Sequence, residues 1–158
     1  MAPRALMLAA VVAALWGCSS MQTGGPPPSP PPGAKASLPC MEAVCFVEVS
    51  VVPDKSCADP NNILVSVDPL KIARANPNPT ITIQWDIDRP SAQAGYTFEP
   101  TKGIAFAPNT QFDCRRQGAI RWMCQDKNDD ANRYKYAVNL KKGDTACASK
   151  DPFVINGQ

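Results

Sequence analysis

The chain has 158 residues, and its 16 Lys and Arg residues almost balance its 14 Asp and Glu residues, for a formal net charge of +2. This length accommodates one domain with a single core, and a charge so close to neutral gives no indication of a nucleic-acid partner. The chain contains no histidine, which excludes Ser-His-Asp and Cys-His catalysis as well as blue-copper sites.

Residues 1–17 have the pattern of a secretory signal peptide. A single basic residue, Arg4, precedes an apolar run that extends from about Ala5 to Trp16. This run is shorter than the ~20 apolar residues that a permanent transmembrane helix needs. A charged start and an apolar middle are typical of a signal that is removed on export. We therefore expect an exported protein.

The end of this segment, Leu15-Trp16-Gly17-Cys18, resembles the lipobox of bacterial lipoproteins. Leu15, Gly17 and Cys18 match that motif, whereas Trp16 departs from it. The resemblance implies cleavage before Cys18, acylation of that cysteine and, because Ser19 follows it, sorting to the outer membrane. Several acyl chains on one residue give lasting membrane attachment. Ordinary secretion with Cys18 unmodified is the alternative.

Residues 18–38 are interpreted as a linker. They contain the string GGPPPSPPPG, and consecutive prolines favour an extended polyproline helix of ~3.1 Å per residue. The folded domain is then expected over residues 39–158.

From Val44 onward, several short segments alternate apolar and polar residues with a period of two. The segment TITIQWDI, for example, places Ile81, Ile83, Trp85 and Ile87 on one face. About eight or nine short strands, with no sustained helical periodicity, predict an all-β domain that is an antiparallel immunoglobulin-like β-sandwich. A small closed β-barrel is the alternative. Residues 69–76 could add one helical turn.

The seven cysteines indicate a disulfide-tied domain in an oxidising compartment. Cys18 lies outside the domain and is the natural odd one. The six that remain permit 15 pairings, and they are Cys40, Cys45, Cys57, Cys114, Cys124 and Cys147. Cys114 and Cys124 flank a predicted hairpin, and Cys40 and Cys45 could close a small loop. That choice would leave Cys57 with Cys147, although the sequence does not fix the connectivity.

One carboxylate pair could carry chemistry. Asp86 and Asp88 lie two apart at a predicted strand end and could serve glycoside hydrolysis. With Arg89 beside them, we favour a solvated strand end.

The segment from Asp126 to Asp130 begins like a calcium loop, D-x-N-x-D. The glycine that such a loop requires at its sixth position is Ala131, and the glutamate at its twelfth is Ala137. We therefore predict a polar hairpin turn, with no metal site and no cofactor.

The second half of the chain resembles a set of small exported bacterial β-proteins that end in Asp-Pro-x-Ile-x-Asn. The resemblance supports a β-sandwich and implies no activity. It rests on aromatic, glycine and C-terminal positions: Trp85, Gly95, Tyr96, Phe98, Gly103, Ile104, Phe106, Tyr134, Tyr136, Asp151, Pro152, Ile155 and Asn156, with Val154 before Ile155.

The segment SAQAGYTFEPTKGIA also resembles the paired motifs of membrane-bound lysozyme inhibitors. The matching residues are Ser91, Ala92, Gly95, Tyr96, Thr101, Lys102, Gly103 and Ala105. The resemblance implies that Ser91 and Lys102 would enter the acidic cleft of the enzyme. The spacings differ from those of that family, and Thr-Lys-Gly also suits an ordinary turn.

From these observations we expect a membrane-anchored lipoprotein of the bacterial cell envelope, at the outer membrane, with its domain in the periplasm or at the cell surface. We expect the domain to be non-catalytic and to have a structural role or a protein or glycan partner. A lysozyme-type enzyme inhibitor is the alternative.

Overall fold

The computed structural model of the protein describes residues 38–74 and 80–158. The predicted signal peptide at 1–17, the predicted lipidation site Cys18 and residues 19–37 of the linker lie outside the described residues. The described part of the chain contains no helix long and apolar enough to cross a membrane.

The described residues form short β-strands and one short helix. In chain order these are β1 (Val44–Val51), β2 (Ile63–Val65), β3 (Leu70–Lys71), β4 (Ile81–Ile87), α1 (Arg89–Gln93), β5 (Tyr96–Phe98), β6 (Ile104–Phe106), β7 (Phe112–Arg116), β8 (Arg121–Asp126), β9 (Arg133–Val138), β10 (Leu140–Lys142), β11 (Thr145–Ala146) and β12 (Phe153–Ile155).

The strands build three sheets, ordered β2-β1-β4-β8-β7, β3-β12-β9-β6 and β11-β10-β5. This arrangement confirms the predicted all-β, disulfide-tied sandwich, and among the described residues no sheet closes into the alternative barrel. Two strand pairs, β1 with β4 and β3 with β12, are parallel rather than antiparallel. The period of two gives the buried face of a strand but not its direction, and the long connection from β1 to β4 permits a parallel pair.

The core lies where the inward faces of the sheets meet. The predicted inward residues of β4, which are Ile81, Ile83, Trp85 and Ile87, are all buried. The Trp85 indole packs edge-on against the Tyr136 ring at 5.4 Å and donates a hydrogen bond from Nε1 to the Tyr136 hydroxyl at 3.2 Å. Because Trp85 lies in one sheet and Tyr136 in another, this contact joins the two layers.

The helical turn predicted at residues 69–76 is wrong for its described part, where Leu70 and Lys71 form β3. A strand forms here, and not a helical turn, because Leu70 pairs with β12 and is buried in the core. The one described helix is α1. It begins after Asp88, whose side chain caps it, and Pro90 occupies its first turn. An Asp cap followed by proline is a start signal for a helix, so this element was readable from the sequence.

Candidate functional site

Three disulfides tie the described domain together: Cys40–Cys45, Cys57–Cys147 and Cys114–Cys124. These are the pairings that the spacing of the cysteines suggested. The Cys114–Cys124 bridge crosses the β7–β8 hairpin, where the two residues face each other in register. The Cys57–Cys147 bridge fastens the loop after β1 to the segment after β11. All six cysteines of the domain are therefore paired with each other.

Ser91 lies in the interior of the domain and not on its surface. Its side chain is only 4 % exposed. Its backbone N–H donates to the Asp88 carboxylate at 3.0 Å, and its hydroxyl oxygen accepts a hydrogen bond from the Val51 N–H at 2.8 Å. These bonds hold α1 against the end of β1, so Ser91 has a structural role.

Lys102 lies in an exposed turn between β5 and β6. The Glu99 carboxylate accepts hydrogen bonds from the Thr101 hydroxyl at 3.1 Å and from the Lys102 N–H at 3.0 Å. The Asn139 side chain donates to the Lys102 carbonyl at 2.6 Å. The turn thus fixes the backbone of Lys102 and leaves its side chain exposed.

Ser91 and Lys102 line separate cavities. One cavity of about 450 Å³ is bordered by Val51, Ser91, Tyr96 and Lys142, whereas Lys102 borders another of about 280 Å³. The structure does not bring the two residues to one cavity. Ser91 is buried, whereas Lys102 is exposed. A turn-like sequence such as SAQAG does not show which of its residues are buried.

The cavity beside Ser91 combines an aromatic wall with charged groups. The Lys142 ammonium lies 5.0 Å from the centre of the Tyr96 ring. Lys55, also at this cavity, forms an ion pair with Asp59 at 3.3 Å. Pockets of this mixed composition fix a ligand by a few polar contacts above an apolar surface.

Asp86 and Asp88 do not form a pair of free carboxylates. Arg121 binds both oxygens of Asp86, at 2.6 and 3.2 Å, and Gln84 donates to the same group at 2.6 Å. Asp88 caps α1. The charged neighbour that the sequence suggested was Arg89, but the ion-pair partner of Asp86 is Arg121, which lies opposite it on β8.

The segment from Asp126 to Asp130 is not a hairpin turn. It joins β8 and β9, which belong to different sheets, so the prediction of a hairpin is wrong at this position. The side chains of Asp126 and Asn128 point inward and are fully buried, and Asn128 has a left-handed backbone with φ of 49°. A period of two cannot show that two consecutive strands diverge into separate layers.

Asp126 anchors this loop to the end of the chain. Its Oδ1 accepts hydrogen bonds from the Asn128 N–H at 3.0 Å and from the Asn156 side-chain amide at 3.1 Å. Burial raises the pKa of Asp126 to about 6, against the opposing effect of these two hydrogen bonds. Asp126 of β8, Asn128 of the following loop and Asn156 after β12 thus meet in the interior.

Three oxygens of these residues have no hydrogen-bond partner within the part of the chain that the structure describes: Asp126 Oδ2, Asn128 Oδ1 and Asn156 Oδ1. We call Asp126, Asn128 and Asn156 the oxygen cluster. Among residues 38–74 and 80–158, no three His, Cys, Asp or Glu side chains come together as a metal site. The oxygen cluster contains one carboxylate and two amides, so it is not such a group of three His, Cys, Asp or Glu side chains.

The outer face of the five-stranded sheet exposes two large apolar side chains. Phe46 on β1 is 62 % exposed and Leu64 on β2 is 48 % exposed. By contrast, the large aromatic side chains of Trp85, Trp122 and Tyr136 are buried. Single exposed apolar side chains are common on protein surfaces, and a contiguous patch is needed to indicate an interaction surface.

No family model and no curated protein matches the chain.

Proposed function

We propose that the protein is a membrane-anchored lipoprotein of the bacterial cell envelope whose domain at residues 39–158 binds a protein or glycan partner without catalysis. The observation that carries the proposal is the complete pairing of the six domain cysteines. It leaves Cys18 as the odd cysteine of the chain, at the position where the lipobox resemblance expects acylation.

The engagement of the candidate carboxylates supports the non-catalytic part of the proposal. Asp86 is held by Arg121 and Asp88 caps a helix, so neither is poised for acid–base work. The cavity bordered by Tyr96 and Lys142 offers a surface suited to binding.

Metabolic labelling with palmitate and membrane fractionation test the anchor. We expect wild-type protein to incorporate palmitate and to fractionate with the outer membrane, and globomycin to cause precursor to accumulate. Cys18→Ser should abolish labelling. Cys40→Ser is the matched control, because it removes a cysteine from the domain and should keep the label. Equal labelling of Cys18→Ser and wild type would contradict the proposal.

An enzyme inhibitor of the lysozyme type is a second candidate, favoured by the exposed side chain of Lys102 on its fixed turn. Lysozyme activity should fall in the presence of wild-type protein and recover with Lys102→Ala. Lys142 is exposed at the other cavity and provides the control. The Lys142→Ala variant should inhibit like wild type. The absence of inhibition by wild-type protein would eliminate this candidate and leave the first one standing.

A further inference from the structure

The oxygen cluster lies where three parts of the chain converge. Asp126 ends β8, Asn128 lies in the following loop, and Asn156 follows the last strand. A fourth contact comes from the segment after β3, because the Asn128 side-chain amide donates to the Ala73 carbonyl at 3.0 Å. From this convergence we propose that Asp126, Asn128 and Asn156 bind a single hard cation of the calcium type.

Hydrogen bonds fix the direction of each amide in the oxygen cluster. Asn128 donates its Nδ2 to Ala73, and Asn156 donates its Nδ2 to Asp126 Oδ1. The oxygen and the nitrogen of each amide are thereby assigned and are not interchangeable. Both oxygens, together with Asp126 Oδ2, are acceptors without a donor among the described residues.

A buried acceptor without a partner is costly, at about 1–3 kcal/mol for each group, and native interiors hold few of them. Three acceptors from one buried group of residues need either a donor or a positive charge. One carboxylate oxygen and two amide oxygens are ligand types that Ca²⁺ prefers. The composition of the cluster therefore favours a cation over a further polar side chain.

The D-x-N spacing supplies two of the ligands, as in a calcium loop, and the chain end supplies the third. The glutamate that is absent at position 137 is not needed in this arrangement, because Asn156 approaches from β12. Gly157 allows that approach: a Cβ there would lie 3.0 Å from the Ala131 Cβ and 3.1 Å from the Asp130 carbonyl oxygen.

Asp130 contributes charge to this corner rather than a free ligand. Its carboxylate already accepts hydrogen bonds from Gln111 at 3.2 Å, from Asn132 at 2.8 Å and from the Tyr134 hydroxyl. Three protein oxygens are fewer than the six to eight that Ca²⁺ takes, so water would complete the shell. We therefore expect an affinity of about 10⁻⁴–10⁻³ M, the range of extracellular calcium modules.

Calcium titration of the full-length protein, purified in detergent and stripped with a chelator, tests this site. Calorimetry should show one ion bound per chain, and amide chemical shifts should change at residues 72–74, 126–130 and 155–158 only. No binding up to about 10 mM Ca²⁺, well above the expected range, would overturn the proposal and assign the cluster to water or a proton. Shift changes confined to other residues would overturn it as well.

Variants identify the ligands. Asp126→Asn removes the charge while keeping the shape of the side chain, and it should weaken binding at least tenfold. Asp129→Asn is the matched control, since Asp129 is exposed in the same loop, and it should bind within about twofold of wild type at high salt, where surface charge is screened. If Asp126→Asn binds as tightly as wild type, or Asp129→Asn alone loses binding, the assignment is overturned. The wild-type titration decides the question even if a buried variant fails to fold.

Discussion

Two corners of the domain bury polar side chains, and they satisfy them in different ways. At the helix corner, formed by Val51, Asp88 and Ser91, the Ser91 N–H and hydroxyl both have partners. At the C-terminal corner, formed by the oxygen cluster, both side-chain amide nitrogens donate hydrogen bonds while three oxygens remain unpaired.

This difference separates a structural role from a binding role. A buried polar atom that already has a hydrogen-bond partner needs nothing from outside the protein. A group left with acceptors alone needs a donor or a cation. By this criterion Ser91, which a sequence resemblance assigned to binding, is structural, whereas Asn156, which carried no predicted role, belongs to a candidate site.

The largest expected effect comes from crowding the C-terminal corner. Gly157 has φ of 73° and lies against Ala131 and Asp130, so Gly157→Ala should destabilise the domain by about 2–3 kcal/mol, from the left-handed backbone and the overpacking. Chemical denaturation measures this cost. Gly143→Ala is the control, because Gly143 has φ of 57° with nothing within 4 Å. If the two variants cost the same, the C-terminal corner is not tightly packed.

At the helix corner, Ser91→Ala should cost about 1–2 kcal/mol, because it leaves the half-buried Val51 N–H without an acceptor. The matched control is Ser66→Ala. Ser66 accepts from the Glu48 N–H at 2.9 Å but is exposed, so water replaces it and the cost should stay within about 0.5 kcal/mol. Equal costs would mean that burial does not govern the strength of the helix corner.

Much of the fold could be predicted from the sequence because it depends on local pattern. The alternation in β4 gives the inward faces of Ile83 and Trp85 directly, and spacing led to the pairing of Cys114 with Cys124. The parallel pairing of β1 with β4 could not be predicted, since alternation has no direction.

The candidate site could not be predicted from the sequence either, but for a different reason. Asp126 and Asn128 resemble the start of a calcium loop, but the third oxygen comes from Asn156, 30 residues away from Asp126. No local pattern reports a contact between a loop and the end of the chain. The burial of Ser91 was hidden in the same way, because its partner Val51 is 40 residues distant.

A smaller effect is expected from the helix cap. Asp88→Ala removes the carboxylate that accepts from the Ser91 N–H and should cost about 1 kcal/mol, the usual cost of losing such a cap. Asp88→Asn keeps an acceptor in place and should recover most of that stability. If neither substitution changes the unfolding midpoint, α1 is held by Ser91 alone.

The smallest change, and the one with a distinctive sign, is expected for Asp126→Asn without calcium. The substitution removes a buried charge and places N–H donors among unpaired acceptors, so stability should stay level or rise by up to about 1 kcal/mol. Calcium should reverse this order. At about 100 times the dissociation constant, wild type should gain about 2.7 kcal/mol, and so should Ser91→Ala. Asp126→Asn, with binding at least tenfold weaker, should gain at most about 1.4 kcal/mol. A loss of stability by Asp126→Asn in calcium-free buffer would show that the carboxylate itself holds the C-terminal corner together, which would make this corner structural in the same sense as the helix corner.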